Sequence, residues 1–409
     1  MKTAILSVGT EILFGQIVNT NTVYLSQQMN MLGFDVMYHY TVGDNPKRVE
    51  EMIDLAFQDC DLILTTGGLG PTQDDLTKEV ACKALDDTLV MMDDVLEEIT
   101  KYFKTLGREM TENNKKQAIM PSRATVFHND AGTAPGFALE KDGKYIICMP
   151  GPPREMKRMF QKSVVPFLQS MIDGALYYRQ IRFFGIGESM LETQLLDLID
   201  NQTDPTLATY AKEGECSLRI ASKRATEEEA EHAVDEMLEK VKERVGHYIY
   251  SCDDEELAQV VADRLMEQGL TLSSAESCTG GMFASTMTDI PGISQCFDRG
   301  LVTYSNQAKM EELGVSAGTL EKFGAVSEET ALEMVEGLKH VSGSDVCISV
   351  TGIAGPGGGS EEKPVGLVYI GFSYGDKKIC KKIQMRNVNR SWNRHYTLLC
   401  MLNVIYRNI

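Results

Sequence analysis

A serine in a predicted turn between a strand and a helix is the first residue that could do covalent chemistry. Ser277 follows an apolar, strand-like run, and the pattern predicts a helix over residues 282–288. The first turn of a helix has free N–H groups and a positive potential, which suit an oxyanion formed beside a serine nucleophile. Gly280 and Gly281 would let the backbone approach a substrate closely. The same local sequence is compatible with a plain helix cap formed by Ser277 or Thr279.

A lysine is the candidate base for such a serine, because histidine is scarce. The chain has 6 His and no H-E-x-x-H motif. Lys309 lies five residues after Tyr304, so a strand end and the first turn of the next helix would bring both side chains to one site. A partly desolvated lysine gives up its proton more readily and can then deprotonate a serine. The alternative, which the local sequence by itself favours, is an exposed lysine on a helix.

A glycine-rich loop and a basic segment in the last third of the chain are candidate phosphate-binding features. The loop over residues 351–360 follows an apolar run, a place where backbone amides can surround a phosphate. It lacks the G-K-[ST] of a Walker loop, and a merely flexible loop is an equally good interpretation. Residues 376–394 contain one acid and seven Lys or Arg. This composition suits a phosphorylated ligand or, alternatively, a strand edge that deters pairing.

A second group of chemically capable residues lies beside a glycine-rich loop in the first third of the chain. Its glycines, which follow a predicted buried strand, are Gly67, Gly68 and Gly70. A helix predicted to begin near Thr72 would present its amides to an anion, and Asp74 and Asp75 could hold a hard cation beside a phosphate. Asp44 follows the second predicted strand and would meet Asp75 at the carboxyl edge of the sheet. Capping of the helix by the two acids is the alternative.

The elements that must position these residues alternate between strands and helices at the start of the chain. Apolar patterning predicts strands at 4–8, 34–42 and 62–66, and helical periodicity predicts helices at 19–32 and 46–59. A hairpin turn is predicted at residues 141–144, followed by a helix that runs to about residue 170. This alternation predicts an α/β fold with a parallel sheet.

Two boundaries divide the chain into three predicted domains. At roughly 150 residues per domain, a chain of 409 residues has room for two to three. A turn signal at Asp173-Gly174 and an acidic stretch over residues 251–256 mark the boundaries, so the predicted domains are 1–173, 174–252 and 253–409. The middle segment has alternating strand and helix patterns that predict a small α+β module, with strands at 178–184 and 216–221 and helices at 188–199 and 227–245.

Composition and charge exclude several classes of protein. The net charge of −19, from 59 acidic and 40 basic residues, would repel nucleic acid, so no nucleic-acid partner is expected. No apolar stretch approaches the ~18 residues of a membrane span, and the start of the chain is typical of a first strand instead of a signal peptide. The 10 Cys include no C-x-x-C and are typical of a reducing compartment. We therefore expect a cytoplasmic protein without a membrane partner, and we expect a homodimer.

Four motifs in the third predicted domain resemble the nicotinamide-nucleotide amidase domain of CinA proteins. They are A-E-S-C-T-G-G at 275–281, T-Y-S-N-x-x-K at 303–309, G-A-V-S at 324–327, and T-G-I-A-G-P through K-P-V-G at 351–366. That family hydrolyses the carboxamide of nicotinamide mononucleotide to nicotinate mononucleotide and ammonia. The resemblance implies a reaction without a cofactor in this domain.

Residue roles follow from this resemblance. Ser277 would be the nucleophile and Lys309 its base, Tyr304 would assist, and Thr279 with its neighbouring amides would stabilise the oxyanion. The implied substrate-binding residues are Gly280, Gly281, Asn306, Thr351, Gly352, Gly355, Arg390 and Arg394. In the family a Gly-Asp-Arg follows the last strand, and the matching place here is Val388-Asn389-Arg390.

Motifs in the first predicted domain resemble the molybdopterin-binding fold in its CinA version. They lie at 9–11 with Gly15, 19–21, 65–79 and 149–153. CinA versions of the fold are associated with metal-dependent hydrolysis of the pyrophosphate in ADP-ribose. The resemblance matches Asp44 and Asp75 to the acidic positions of the fold. Together with Asp74 they are the candidate metal ligands, and aspartates by themselves are compatible with Mg²⁺, Mn²⁺ or Co²⁺. The resemblance implies substrate contacts from Gly67, Gly68, Gly70, Glu11 and Asn19.

Together the resemblances cover nearly the whole chain and define the expected architecture. It consists of an N-terminal molybdopterin-binding-like domain with a parallel sheet, a small α+β (KH-like) middle module and a C-terminal α/β amidase domain. The implied ligands are nicotinamide mononucleotide and, in the first domain, ADP-ribose. A non-catalytic nucleotide-binding or competence-associated scaffold protein is the alternative function.

Overall fold

The computed structural model describes residues 1–105, 107–171, 174–386 and 388–409. These residues form two compact units, Met1–Leu176 and Tyr177–Ile409. Asp173, part of the first predicted boundary, lies outside the described residues. Along the described ranges, no helix has both the length and the apolar character needed to cross a membrane.

The first unit is built on a mixed sheet of six strands whose order is β2-β1-β3-β8-β7-β6, with a small sheet of β4 and β5 beside it. Its strands are β1 (Lys2–Val8), β2 (Asp35–Val42), β3 (Leu62–Thr66), β4 (Leu89–Met91), β5 (Ile119–Pro121), β6 (Thr125–Phe127), β7 (Gly136–Lys141) and β8 (Lys144–Met149). Its α-helices are α1 (Thr10–Leu13), α2 (Thr20–Met31), α3 (Pro46–Asp59), α4 (Thr77–Ala84), α5 (Asp93–Thr105), α6 (Pro153–Met159) and α7 (Val165–Gln169). The predicted α/β fold is confirmed, and β1, β2, β3 and β8 run parallel.

Buried strands bring the loops of the first unit to one edge of the sheet. Every residue of β3 is buried, because helices cover both faces of the sheet. The strand ends are tied together, since the amide of Gly67 donates to Met149 O over 3.0 Å and that of Gly9 to Val42 O over 2.9 Å. The loops after β1, β2, β3 and β8 therefore share the carboxyl edge, where ligands bind in folds of this kind.

The second unit begins with a four-stranded sheet in the order β10-β11-β9-β12. Its elements are β9 (Ala175–Phe183), α8 (Glu188–Asp200), β10 (Thr206–Lys212), β11 (Glu215–Arg224), α9 (Glu227–Val245) and β12 (Ile249–Ser251). The charged residues of α9 form a solvated face, while its apolar stripe, which includes Val234 and Val241, is buried. The strands β10 and β12 were absent from the prediction, because one is largely exposed and the other has three residues.

The rest of the second unit surrounds a five-stranded sheet in the order β14-β13-β15-β16-β17. Its strands are β13 (Leu272–Glu276), β14 (Phe297–Val302), β15 (Val346–Gly352), β16 (Leu367–Tyr374) and β17 (Lys377–Gln384). Its helices are α10 (Leu257–Gln268), α11 (Met282–Thr288), α12 (Asn306–Leu313), α13 (Ala317–Phe323), α14 (Glu328–Ser342) and α15 (Arg390–Tyr406). Because β13, β14 and β15 are parallel, the segments that follow them meet at one edge.

One predicted helix start was wrong. The helix after the first glycine-rich loop begins at Thr77 and not near Thr72, and no side chain caps it. Residues 71–74 form bends, and Asp75 accepts a hydrogen bond from the amide of Thr72 over 2.9 Å. An aspartate that closes a bend in this way competes with helix formation.

Candidate functional site

The nucleophile turn, defined here as residues 277–281, joins β13 to α11 at the carboxyl edge of the last sheet. The amide of Ser277 donates to Val350 O over 3.0 Å, so the turn starts from a fixed strand end. Gly280 and Gly281 have φ of 60° and 90°, a left-handed conformation that favours glycine. Gly281 occupies the N-cap of α11 and has no side chain that could cap it, and the Thr279 hydroxyl has no hydrogen-bond partner within the described ranges. The alternative of a cap formed by Ser277 or Thr279 is therefore excluded.

Lys309 is brought to this turn by α12. The Ser305 hydroxyl caps the helix by accepting from the amide of Ala308 over 3.0 Å, so the first turn is well defined. Lys309 is 1% exposed, in contrast to the exposed lysine that the local sequence also allowed. Its Nζ lies 3.0 Å from Ser277 Oγ, 2.8 Å from Thr303 O and 3.3 Å from Tyr304 O.

The electrostatics around Lys309 favour the neutral amine. Burial lowers the pKa of Lys309 from its usual value. Among the described residues it forms no ion pair with a carboxylate. A neutral amine has two N–H groups and one lone pair. If the two N–H groups donate to the carbonyls of Thr303 and Tyr304, the lone pair is left for the hydroxyl proton of Ser277.

Two arginines of α15 surround the nucleophile turn. Arg390 donates from Nη1 to Gly355 O over 2.8 Å and from Nη2 to the Tyr304 hydroxyl over 3.2 Å. Arg394 donates from Nη2 to Thr279 O over 2.6 Å. The Asn389 side chain caps α15 by accepting from the amide of Trp392 over 2.8 Å. Asparagine and aspartate cap helices about equally well, so the replacement of the family's Asp by Asn389 preserves the start of this helix.

The other predicted residues of this site have different environments. Thr279 is fully buried, and its hydroxyl has no hydrogen-bond partner within the described ranges. Thr351 donates to Ala325 O over 2.6 Å, which fixes the start of the glycine-rich loop. A Cβ on Gly352 would lie 2.8 Å from Leu367 O, so this glycine is required by strand packing. Asn306 is exposed in the first turn of α12.

The sequence analysis missed Glu276. This last residue of β13 is fully buried, and its carboxylate accepts hydrogen bonds from the amides of Gly281, Phe283 and Ala284 over 3.0, 3.1 and 2.9 Å. The free amides that the sequence led us to expect at the start of α11 are therefore already occupied. An acid at the last position of a buried strand, directly before a helix, was the available signal.

A separate cavity of about 340 Å³ lies at the carboxyl edge of the sheet in the first unit. Its lining includes Gly67, Gly68, Gly70 and five acidic residues, Glu11, Asp44, Asp74, Asp75 and Glu155. No Lys or Arg of the described part of the chain lines it. Asn19, predicted to contact substrate, is not part of the lining; its side chain caps α2 and donates to Ser7 Oγ over 2.9 Å.

The carboxylates predicted as metal ligands accept hydrogen bonds from threonines of the protein. Asp44 accepts from the amide and hydroxyl of Thr10 over 2.9 and 2.7 Å. Asp74 and Asp75 accept from the Thr72 hydroxyl, which lowers the pKa of Asp74. They close the loop and do not cap α4. Lys116, which the sequence analysis also missed, holds this loop through Thr72 O at 3.2 Å.

The donor chemistry of this cavity suits a hard cation, but the geometry is not a preformed metal centre. Carboxylate oxygens are the ligands that Mg²⁺ and Mn²⁺ prefer. Across the part of the chain that the structure describes, no three His, Cys, Asp or Glu side chains converge as a metal site would need. An ion here would require further oxygen atoms, such as those of a phosphorylated ligand.

Known protein families match three successive segments of the chain. Family models match residues 4–170 as "Probable molybdopterin binding domain", residues 178–251 as "Damage-inducible protein CinA KH domain" and residues 254–409 as "CinA C-terminal domain". The KH-like middle module and the expected fold of each part are thereby confirmed.

Relatives extend this similarity over the full length. A CinA-like protein of Dictyoglomus thermophilum is 45% identical over 409 residues, which is 100% of this chain and 99% of the relative. A CinA-like protein of Kosmotoga olearia is 47% identical over 385 residues, covering 94% of this chain and 93% of the relative. The crystal structure of a competence/damage inducible protein from Agrobacterium tumefaciens, at 42% identity and a TM-score of 0.36, covers 37% of this chain and 92% of that one.

Proposed function

The chain belongs to the CinA family, and from this premise we propose that its last predicted domain, 253–409, is a nicotinamide-nucleotide amidase. The substrate would be nicotinamide mononucleotide and the products nicotinate mononucleotide and ammonia. The observation that carries the proposal is the 3.0 Å contact between Lys309 Nζ and Ser277 Oγ at a buried position. A desolvated lysine against a serine hydroxyl is the arrangement that Ser–Lys hydrolysis requires.

The proposed reaction has two steps. Neutral Lys309 takes the hydroxyl proton of Ser277, whose Oγ attacks the carboxamide carbon. Lys309 then gives this proton to the nitrogen, the C–N bond breaks, and ammonia leaves an acyl-serine ester. In the second step Lys309 deprotonates a water that attacks the ester, and this proton passes to Ser277 Oγ as the carboxylic acid leaves; the acid then gives its own proton to solvent and becomes the carboxylate product.

The arginines of α15 provide the positive charge for the substrate phosphate in this proposal. A guanidinium has five N–H donors, and the contacts of Arg390 with Gly355 and Tyr304 use two of its three nitrogens. Arg394 contacts the turn through one nitrogen. The remaining donors are available to a phosphate, which arginine binds well.

Ammonia release from nicotinamide mononucleotide tests the proposal directly. We expect turnover by the wild type and a loss of about 10³-fold or more in Ser277→Ala. Ser274→Ala is the matched control, because Ser274 is a fully buried serine of β13, the strand that leads into the turn, and its hydroxyl has no partner within the described ranges. It should keep wild-type turnover. Tight binding of the nucleotide without ammonia release would favour the scaffold alternative instead.

We propose as a second candidate function that the cavity of the first unit binds ADP-ribose and supports hydrolysis of its pyrophosphate. The favouring observation is the glycine-rich lining of a cavity that also presents five carboxylates. A pyrophosphate would be repelled by these carboxylates unless a divalent cation neutralised part of the charge. The residues that would hold the cation with the phosphates are Asp44, Asp74 and Asp75, and the cation would supply charge neutralisation.

Calorimetric titration of ADP-ribose tests this second proposal without relying on turnover. Binding should be at least about tenfold tighter with Mg²⁺ than without it, and Asp75→Asn should remove most of that difference. Asp54→Asn, at an exposed position of α3, is the control. Equal affinity with and without the ion would contradict the proposal.

The homodimer and the cytoplasmic location also stay predictions. Mass photometry of the purified protein would check the homodimer.

A further inference from the structure

We infer that Glu276 is a positioning residue of the nucleophile turn. The inference rests on the amidase function proposed above. Its carboxylate lies beside the nucleophile in sequence but is directed away from the reaction, into the first turn of α11. It acts through the turn and not on the substrate.

Glu276 ties together the two elements that the turn connects. Its main chain belongs to the sheet, where it lies opposite Val302 and Val350 and accepts from the amide of Thr303 over 2.9 Å. Its side chain reaches past the turn to the amides of Gly281, Phe283 and Ala284. Both ends of the turn are therefore held by one residue, which restricts the position of Ser277 Oγ against Lys309 Nζ.

The free-energy cost of burying the Glu276 carboxylate supports a role for it in positioning the turn. A carboxylate is expensive to bury, and within the described ranges Glu276 has no cationic partner in an ion pair. Three N–H donors and the positive end of a helix compensate for the lost water. Leu272 and Ala275, which are apolar, show that the same strand otherwise fills its buried positions without charge.

Glu276 also decides which amides can stabilise an oxyanion. It occupies the amides of 281, 283 and 284, so the start of α11 is not an anion site. Inside the turn, the amides of Cys278 and Thr279 have no acceptor among the residues that the structure describes. Arg394 holds the next peptide of the turn through Thr279 O at 2.6 Å. The donors left for the oxyanion are those within the turn.

Glu276→Gln tests this role, because the amide side chain keeps the size of the glutamate but places an NH₂ group against backbone donors. We expect kcat for nicotinamide mononucleotide to fall about 100-fold, with KM within about threefold of wild type. Hydrogen exchange at residues 281–284 should become faster. Asp345→Asn is the matched control, since Asp345 also accepts from a backbone amide, that of Thr271 over 2.9 Å, in the same domain. It should leave kcat unchanged.

Several outcomes would overturn the inference. A Glu276→Gln protein with wild-type kcat would do so, as would an equal loss of kcat in Asp345→Asn. If Glu276→Gln fails to fold, Glu276→Asp replaces it; its carboxylate is too short for all three amides, and a wild-type kcat there contradicts the role. If the wild type releases no ammonia, the proposed function has failed. In that case hydrogen exchange tests the positioning role by itself. If the amides of residues 281–284 exchange as slowly in Glu276→Gln as in the wild type, the positioning role is contradicted.

Discussion

The carboxyl edges of the first and the last sheet have similar geometry, but acidic side chains surround one and basic side chains surround the other. In both, a glycine-rich segment follows a buried central strand, β3 in one and β13 in the other. The edge in the first unit opens into a cavity lined by five carboxylates and, among the described residues, by no Lys or Arg. The edge in the second unit has a desolvated lysine against a serine, with two arginines beside it.

Under the functions proposed above, the edge in the first unit would need an added charge and the edge in the second unit would not. At the nucleophile turn, Lys309 already contacts Ser277, and Glu276 and Arg394 hold the backbone of the turn. In the cavity, Asp44 accepts a hydrogen bond from Thr10 of α1, and Asp75 accepts one from Thr72 of its own loop. The carboxyl edge of a sheet with parallel strands is therefore the place for a ligand in both units, but the side chains at that edge decide what chemistry it can support.

A comparison of two buried lysines gives the largest expected effect. Lys78 in the first unit is also buried, and burial lowers its pKa to about 8, but its Nζ donates to Lys116 O over 2.6 Å. Lys309→Met should reduce ammonia release at least about 10³-fold, because Lys309, unlike Lys78, contacts a serine hydroxyl. Lys78→Met is the control and should keep ammonia release. Comparable losses in both variants would contradict the assignment of the base.

Removal of divalent metal should lower the activity proposed for the first edge but not that proposed for the last. The expected change is smaller than that of Lys309→Met. After chelation, ADP-ribose hydrolysis should fall about 100-fold, because the carboxylate-lined cavity loses its counter-charge. Ammonia release from nicotinamide mononucleotide in the same sample should be unchanged, since the base and nucleophile are side chains. A parallel loss of both activities would show that the two sites do not differ in the way described here.

The pH dependence of ammonia release should report the neutral form of Lys309. Burial disfavours the ammonium, so the pKa of Lys309 lies below its usual value. The neutral fraction, and with it kcat, should rise about tenfold for each pH unit below that pKa and level off above it. A pH series of kcat checks this. A rise centred at the ordinary pKa of an exposed lysine would contradict the buried base.

Removal of either of two helix caps should have the smallest effect, a modest loss in the free energy of unfolding. Asn389 caps α15, which presents Arg390, and Asn19 caps α2 in the first unit. Each Asn→Ala change should lower the free energy of unfolding by about 1 kcal/mol, measured by denaturant titration. Only Asn389→Ala should also raise KM for nicotinamide mononucleotide, by a few fold. An unchanged KM would mean that Arg390 does not depend on its cap.

Much of the fold was predictable because it depends on local patterns. The helices at 46–59, 227–245 and 282–288 were predicted with the bounds that the structure shows. Short or exposed strands such as β12 lack a long enough pattern and were missed. The bends at residues 71–74 were predicted as a helix, because the competing hydrogen bonds of Asp75 cannot be recognised from composition.

The sequence by itself determined the motifs, the presence of two glycines in the nucleophile turn and the order of the longer strands and helices. Each depends on residues close together in the chain. Tertiary structure alone decided that Lys309 is buried against Ser277, 32 residues away, and that Arg394 contacts Thr279, 115 residues away. It also decided that Glu276 occupies the amides of α11. The physical reason is that desolvation and hydrogen-bond competition depend on which segments pack together.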